Sequence, residues 1–395
     1  MGLFGFIGNY LPRRSLSALE LQLKTALSPY FHGGDFIFFS SARAALLSFL
    51  LSNDVRGGDE VIVTGASCSV VIDVIKISGA KPVYVDIDED TFGTSTEAIF
   101  KAITNSTKVV IIQHSFGLPS NALNIIPELQ RRGILVVEDC ALSVGSSRSG
   151  LAVGSMGDAA IISFGHSKPI NGFMGGALFS RDTQAITDVK SKLHITELSA
   201  SQRALSFGYS LVEHFLCRQK LYYLWHFFLL ATGLIQRIFP SWQPFLSTRT
   251  PSGGLLKSSD ILTTMPKFAL ILATGSAAKR LSTHESRMSQ LAMFRSLIPD
   301  HLLPASYADP DNAIDPFRFV LYAETSRDDL KLGKLLDLNQ IWFKQPIEAT
   351  ALDLRAFGYA TGDCPVSESL GKKVINVPSH LSDSILRELL GQISS

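Results

Sequence analysis

The chain has 395 residues, a formal net charge of +1 and 46% hydrophobic residues. This length suffices for two domains with sizeable cores, and the near-neutral balance gives no electrostatic reason to expect nucleic acid. Four scattered cysteines (Cys68, Cys140, Cys217, Cys364) without a CxxC pair point to reduced thiols in a cytosolic setting and away from a zinc site.

The N-terminal arm, residues 1–34, starts with an apolar stretch followed by Arg13 and Arg14. That order does not suit a cleaved signal peptide, and Phe6 does not suit a myristoylation motif. Leu16 to Leu27 has helical apolar spacing. A first strand, Phe36–Phe39, runs into Ser40-Ser41-Ala42-Arg43-Ala44-Ala45. A strand end, small residues and a helix N-terminus make a phosphate cradle, because free N–H groups and the positive end of the helix dipole face the anion. A tight strand-to-helix turn is the plainer reading.

Strand Val61–Val63, helix Cys68–Ser78 and strand Val83–Val85 follow. The acidic stretch Asp86-Ile87-Asp88-Glu89-Asp90 lacks the glycine and spacing of an EF-hand loop and reads as a solvated loop. Ser95 caps a helix to Ile103. Strand Val109–Ile112, a helix over Asn121–Arg132 and strand Ile134–Val137 come next. Strands alternating with helices mean βαβ units and a mostly parallel sheet. Further strands are expected at Ala159–Ile162 and Gly175–Phe179.

Two strand ends carry the chemistry. One delivers Asp139; the other delivers Ser163 and then Lys168. In α/β sheets the C-terminal strand ends are where ligands bind. An acid paired with a lysine suits an aldehyde cofactor with a pyridine ring, pyridoxal phosphate (PLP). Lysine bonds the aldehyde, and the acid keeps the ring nitrogen protonated so that the ring serves as an electron sink. Taken singly, Lys168 reads as a loop lysine and Asp139 as a turn cap; their order with Ser163 and Gly175-Gly176 makes the cofactor reading. His114 and His166 read as satisfied polar residues or as neighbours of the cofactor. Cys140 reads as a small core residue.

The apolar excess lies at residues 205–245, with about fifteen apolar-dominated residues broken by His226 and flanked by Arg218, Lys220 and Arg237. This is short of the ~20 residues that span a bilayer. Two readings stand: a core or dimer-interface helix pair, and a helix lying in the membrane interface. After Pro251-Ser252-Gly253-Gly254, the expected small domain holds a helical stretch at 265–297, strands at 317–322 and 340–343, and helices at 328–336 and 382–390. The expected organisation is an arm (1–34), a large domain (35–250) and a small C-terminal α+β domain (251–395).

The matching stretches are Ser41–Leu46, Gly58–Val63, Gly79–Ile87, His114–Pro119, Val137–Ala141, Gly154–Asp158, Ser163–Lys168, Gly175-Gly176 and Asn376–His380. On these the chain resembles the DegT/StrS family of PLP-dependent sugar aminotransferases. The resemblance implies a PLP-transferase type I fold, with a three-layer α/β/α large domain. It implies that Lys168 holds PLP covalently and shuttles a proton, that Asp139 pairs with the pyridinium nitrogen, and that Ser163 and the backbone at Ala42, Arg43 and Ala44 bind the phosphate. It implies amino transfer from glutamate to a keto-sugar nucleotide, in polysaccharide or glycoconjugate biosynthesis, by a cytoplasmic homodimer. There are departures. Cys68 stands where an aromatic ring usually stacks on the cofactor, Leu142 where Gln or His is frequent, and Ala42-Arg43 where the phosphate turn has Gly-Thr. An asparagine reaching the partner's phosphate is not identified; Lys257 and Arg249 are candidate substitutes. These departures and the apolar segment keep two alternatives open. One is a PLP enzyme acting on a non-sugar or lipid-linked substrate. The other is a non-catalytic PLP-binding relative in a membrane-associated assembly, touching the membrane through 205–245.

Overall fold

The computed structural model describes residues 14–165, 168–218, 255–323, 342–343, 357–371, 373–379 and, near the C terminus, 384, 387 and 388. In chain order its elements begin with helix α1 (Leu16–Leu27), strand β1 (Asp35–Phe39), α2 (Ala42–Ser52), β2 (Glu60–Thr64), α3 (Ser69–Ile77) and β3 (Lys81–Val85). Next come α4 (Thr96–Ala102), β4 (Thr107–Gln113), α5 (Ile126–Arg131), β5 (Leu135–Asp139), β6 (Ser147–Arg148), β7 (Leu151–Ala152), β8 (Ala159–Ser163) and β9 (Gly176–Ser180). They continue with α6 (Thr183–Lys192), α7 (Ala200–Arg218), α8 (Ser258–Ile261), α9 (Lys267–Ser282) and α10 (His284–Leu297). The last are β10 (Asn312–Ala313), β11 (Arg318–Tyr322), β12 (Trp342–Phe343), α11 (Pro365–Leu370) and β13 (Val374–Pro378).

The chain forms two compact units, each from two segments: Met1–Asp54 with Ala159–Ser282, and Val55–Asp158 with Thr283–Ser395. In the first unit the strand order is β1-β9-β8, and β9 runs antiparallel to both neighbours. The aromatic run of β1 is buried because its rings meet others from this unit. Phe179 lies 4.8 Å from Phe36 and 5.0 Å from Phe31, centre to centre. Helix α1 is capped by Ser15, whose side chain accepts the Ala18 N–H, and it buries Leu19, Leu23 and Leu27. That i, i+4, i+8 stripe is why the segment is a helix packed on one face. Helix α7 carries the start of the apolar run, with the Phe207 ring 5.5 Å from Phe268. The run from residue 219 onward, with His226 and Arg249, lies outside the described residues, as does His166. Among the described residues, no helix is long and apolar enough to cross a membrane.

In the second unit the order β5-β4-β2-β3 is parallel throughout. Val61, Ile62, Val110, Ile112, Val136 and Val137 are fully buried, as expected of strands covered on both faces. One expected helix is divided. Asn121–Ile125 is a 3-10 turn, and α5 begins only at Ile126 with Pro127 in its first turn. Proline has no N–H for an intrahelical bond but fits a first turn, so it marks a helix start. The stretch 265–297 is likewise two helices, α9 and α10, separated at Thr283. The second sheet of this unit runs β11-β13-β12, antiparallel at both pairings. Helix 328–336 and most of 382–390 lie outside the described residues; of the expected strand 340–343, Trp342–Phe343 is described.

The acidic stretch organises the backbone. Asp86 accepts the N–H groups of Val366 (2.7 Å) and Ser367 (2.8 Å), capping α11. Asp88 Oδ1 accepts those of Asp90 and Thr91 in a local turn.

Candidate active site

Lys168, Ser163 and the start of α2 all belong to the first unit. Ser163 is the last residue of β8 and is half-buried, as is Lys168. Gly165 lies between them in sequence. A methyl group on Gly165 would stand 3.6 Å from Lys168 Cγ and 3.7 Å from Ser163 Oγ, so the hydroxyl and the lysine stem flank one point. Ala42, Arg43 and Ala44 are the first three residues of α2. N–H groups in a first turn have no intrahelical carbonyl, and Ala44 donates its own to Ser41 Oγ at 3.3 Å. An anion here would meet the opening of that turn. Gly176 sets the distance of approach: a Cβ there would lie 2.2 Å from Ala42 N and 2.4 Å from Ala42 Cα. Only glycine lets the start of β9 pass so close to the helix terminus. An amine, a hydroxyl and a helix N-terminus form a donor set that fits a phosphorylated aldehyde.

Asp139, Cys68 and Leu142 belong to the second unit. Asp139 ends β5, half-buried, and its Oδ1 accepts the Ala141 N–H at 2.9 Å. The carboxylate therefore caps a turn as well, and that bond fixes its orientation. Cys68 is the N-cap residue of α3, with no side-chain cap bond and an exposed thiol. Lys257 is the N-cap residue of α8 and is exposed.

Beneath Asp139 lies a buried polar cluster that the sequence did not single out. Glu138 is fully buried. Its Oε1 accepts the N–H groups of Met156 and Gly157, and its Oε2 accepts that of Gly154, all at 2.7 Å. His114 Nε2 lies 3.1 Å from Oε2. His114 Nδ1 accepts the Ser120 N–H at 3.0 Å, which leaves the ring proton on Nε2, aimed at the carboxylate. Burial alone would raise the Glu138 pKa. The His114 ring and the Gly157 and Gly154 N–H groups outweigh it and hold the carboxyl below its ordinary value. His114 is thus committed to the fold at both nitrogens. Cys140 is buried beside it, its thiol pushed to higher pKa by burial. Three nearby ligand types, His114, Glu138 and Cys140, would suggest a metal, but their lone pairs and protons are engaged with one another and with backbone. One signal in the sequence was available: a glutamate inside an apolar strand must find partners.

A cleft opens in the second unit, with about 470 Å³ of empty space including its solvent-filled mouth. Leu142 lines it together with Phe92, Gln113, Ser115, Phe116 and Leu370. Gln113 is the β4 residue paired with Asp139 across the parallel register, so the cleft lies beside the candidate acid.

Residues 18–206 match the model of the DegT/DnrJ/EryC1/StrS aminotransferase family. A GDP-perosamine synthase from Escherichia coli O157:H7 is 36% identical over 143 residues, which is 36% of this chain and 39% of that protein. An L-glutamine:2-deoxy-scyllo-inosose aminotransferase from Streptomyces fradiae is 34% identical over 202 residues, 50% of this chain and 45% of that protein. The chain thus spans less than half the length of these curated relatives. Among solved structures, the PLP form of Spr1654 from Streptococcus pneumoniae, described as a sugar aminotransferase, superposes with a TM-score of 0.72. Identity there is 18%, covering 100% of this chain and 96% of that one. The fold is that of the PLP sugar aminotransferases.

Proposed function

We propose that this chain is a PLP-dependent aminotransferase that moves an amino group from glutamate to a keto group on a sugar nucleotide. The observation that carries the reading is the convergence of Ser163 and Lys168 on Gly165, within a segment that matches an aminotransferase family. When bound, the cofactor supplies an electron sink for the carbon that gains or loses a proton. Each residue then has a task. The opening turn of α2 and the Ser163 hydroxyl hold the phosphate. Asp139, oriented by its bond from Ala141, holds a proton on the ring nitrogen. Lys168 anchors the aldehyde and carries the proton at the substrate carbon. The division into arm, large and small domains, a homodimeric assembly, a cytoplasmic setting and a role in polysaccharide or glycoconjugate synthesis belong to the same proposal.

The test is spectroscopic. Purified protein is expected to absorb near ~410–430 nm, as a lysine-held aldehyde cofactor does, and borohydride should abolish the band. Glutamate should convert it to the amine form. A band that glutamate leaves unchanged would refute amino transfer while leaving the cofactor assignment intact.

A further inference from the structure

Lys168 sits in a loop whose base is closed by backbone. The Phe164 N–H donates to the Gly175 carbonyl at 2.9 Å, and the Gly172 N–H donates to the Phe164 carbonyl at 2.9 Å. Phe164 is fully buried, so the ends of the stretch 164–175 meet inside the unit. Closing the base fixes where the loop starts and ends. It does not fix how the arm after Lys168 turns.

That arm is moored to helix α9, which belongs to the same unit. The N–H of Asn171, three residues after Lys168, donates to Ser276 Oγ at 2.8 Å. Gly172 lies against the same helix: a Cβ there would stand 2.9 Å from the Ala269 carbonyl oxygen and 3.2 Å from Ala273 Cβ. The mooring point is itself held, because the Tyr30 hydroxyl donates to the carbonyl of Ala277, the next residue, at 3.0 Å. Asn171 then turns the chain. Its Oδ1 accepts the Phe173 N–H at 2.7 Å, a side-chain turn of the Asx kind. Phe173 has φ of 65°, the left-handed region that bulky residues rarely enter. Such a conformation persists where its surroundings over-determine it. Asn171 supplies the bond on one side. On the other, Gly175 packs so tightly that a Cβ would lie 2.6 Å from Met265 Cε.

We propose that Ser276 and Asn171 are positioning residues for Lys168, fixing the arm behind it so that its amine meets the cofactor aldehyde in the reactive geometry. The inference rests on the PLP reading above and adds two residues to it. Both act through the backbone of 169–173. Pro169, directly after Lys168, has its φ fixed by its ring, which leaves the arm few other ways to turn. An amine held in reactive geometry behaves as if at a far higher concentration, and a misplacement of about 1 Å costs on the order of 100-fold.

The rate of cofactor capture tests this. Full-length protein freed of cofactor by dialysis is mixed with PLP, and the rise of the band near ~410–430 nm is followed by stopped flow. In Ser276→Ala and in Asn171→Ala the rate is expected to fall about 10- to 100-fold. Ser276→Thr keeps a hydroxyl and should restore it. Alanine suits a helix interior, and Asn171→Ala reads the same mooring from the loop side. Pyridoxamine 5′-phosphate shares the ring and phosphate contacts but has no aldehyde for the lysine. Its affinity, read by calorimetry, should stay that of the unaltered protein, whereas a merely structural role would weaken both forms together. Capture at the unaltered rate in both alanine variants, an equal loss of affinity for the amine form, or no rescue by Ser276→Thr would overturn the positioning role and leave the PLP reading standing. No band in the unaltered protein would overturn both.

Discussion

The two units present their candidate residues by different physics. In the first unit the functional groups are presented by backbone: a strand end, a helix N-terminus, and glycines that let chain segments approach. Gly176 against Ala42 shows this. In the second unit Asp139 stands over a buried network in which His114, Glu138 and three backbone N–H groups satisfy one another. The first set is tuned by sterics at Gly176, which tolerates no added methyl group without a backbone shift. The second is tuned by hydrogen bonding, and neither the exposed Cys68 nor the half-buried Leu142 takes part in that network.

Four substitutions probe that contrast, from the largest effect to the smallest. Lys168→Ala removes both the anchor and the proton carrier, so turnover should fall on the order of 10³-fold, within the span of a positioned acid–base group, and the absorbance band should vanish. A band that persists in the variant would show that another lysine holds the cofactor. Glu138→Ala leaves buried donors without their acceptor and should cost about 3–5 kcal/mol in denaturant unfolding. The same network sets an acid limit. The folded-state pKa of Glu138 lies below its ordinary value of 4.5, so its stabilisation is present above that pH and is lost as pH falls through the depressed folded value. Glu138→Ala should therefore flatten the acid limb of stability against pH; an unaltered limb would assign it to other carboxylates.

Gly176→Ala places a methyl group 2.2 Å from Ala42 N. Backbone must shift, at a cost of about 1–3 kcal/mol, and cofactor retention in dialysis should drop with it. If stability falls but retention holds, the helix terminus does not grip the phosphate. Cys68→Tyr should restore a stacking surface and tighten the cofactor by about 0.5–1.5 kcal/mol, read as slower loss of the band under dialysis. No change would mean that the exposed Cys68 position does not face the ring.

Much of the frame was legible without coordinates. The apolar runs at Val61–Val63, Val109–Ile112 and Ile134–Val137 name buried parallel strands, and Ser95 marks a helix start that its side chain does cap. Asp139 and Lys168 were legible as an ordered pair. Other features were not. Asp86 looked like one acid in a charged loop, yet it accepts the N–H of Val366 in a helix 280 positions further along the chain. Glu138 and His114 find each other across 24 positions, and no local pattern specifies that distance.

By itself, the sequence determined which segments become strands and helices and which residue types stand at the strand ends. Those depend on local periodicity, capping and turn chemistry, which act over a few residues. The tertiary structure alone decided that β9 runs antiparallel to both neighbours, that Gly176 admits the α2 terminus, and that Leu142 opens onto a carbon-lined cleft beside Asp139. These follow from close packing and from the need to satisfy every buried polar group, and both conditions join residues far apart in the chain.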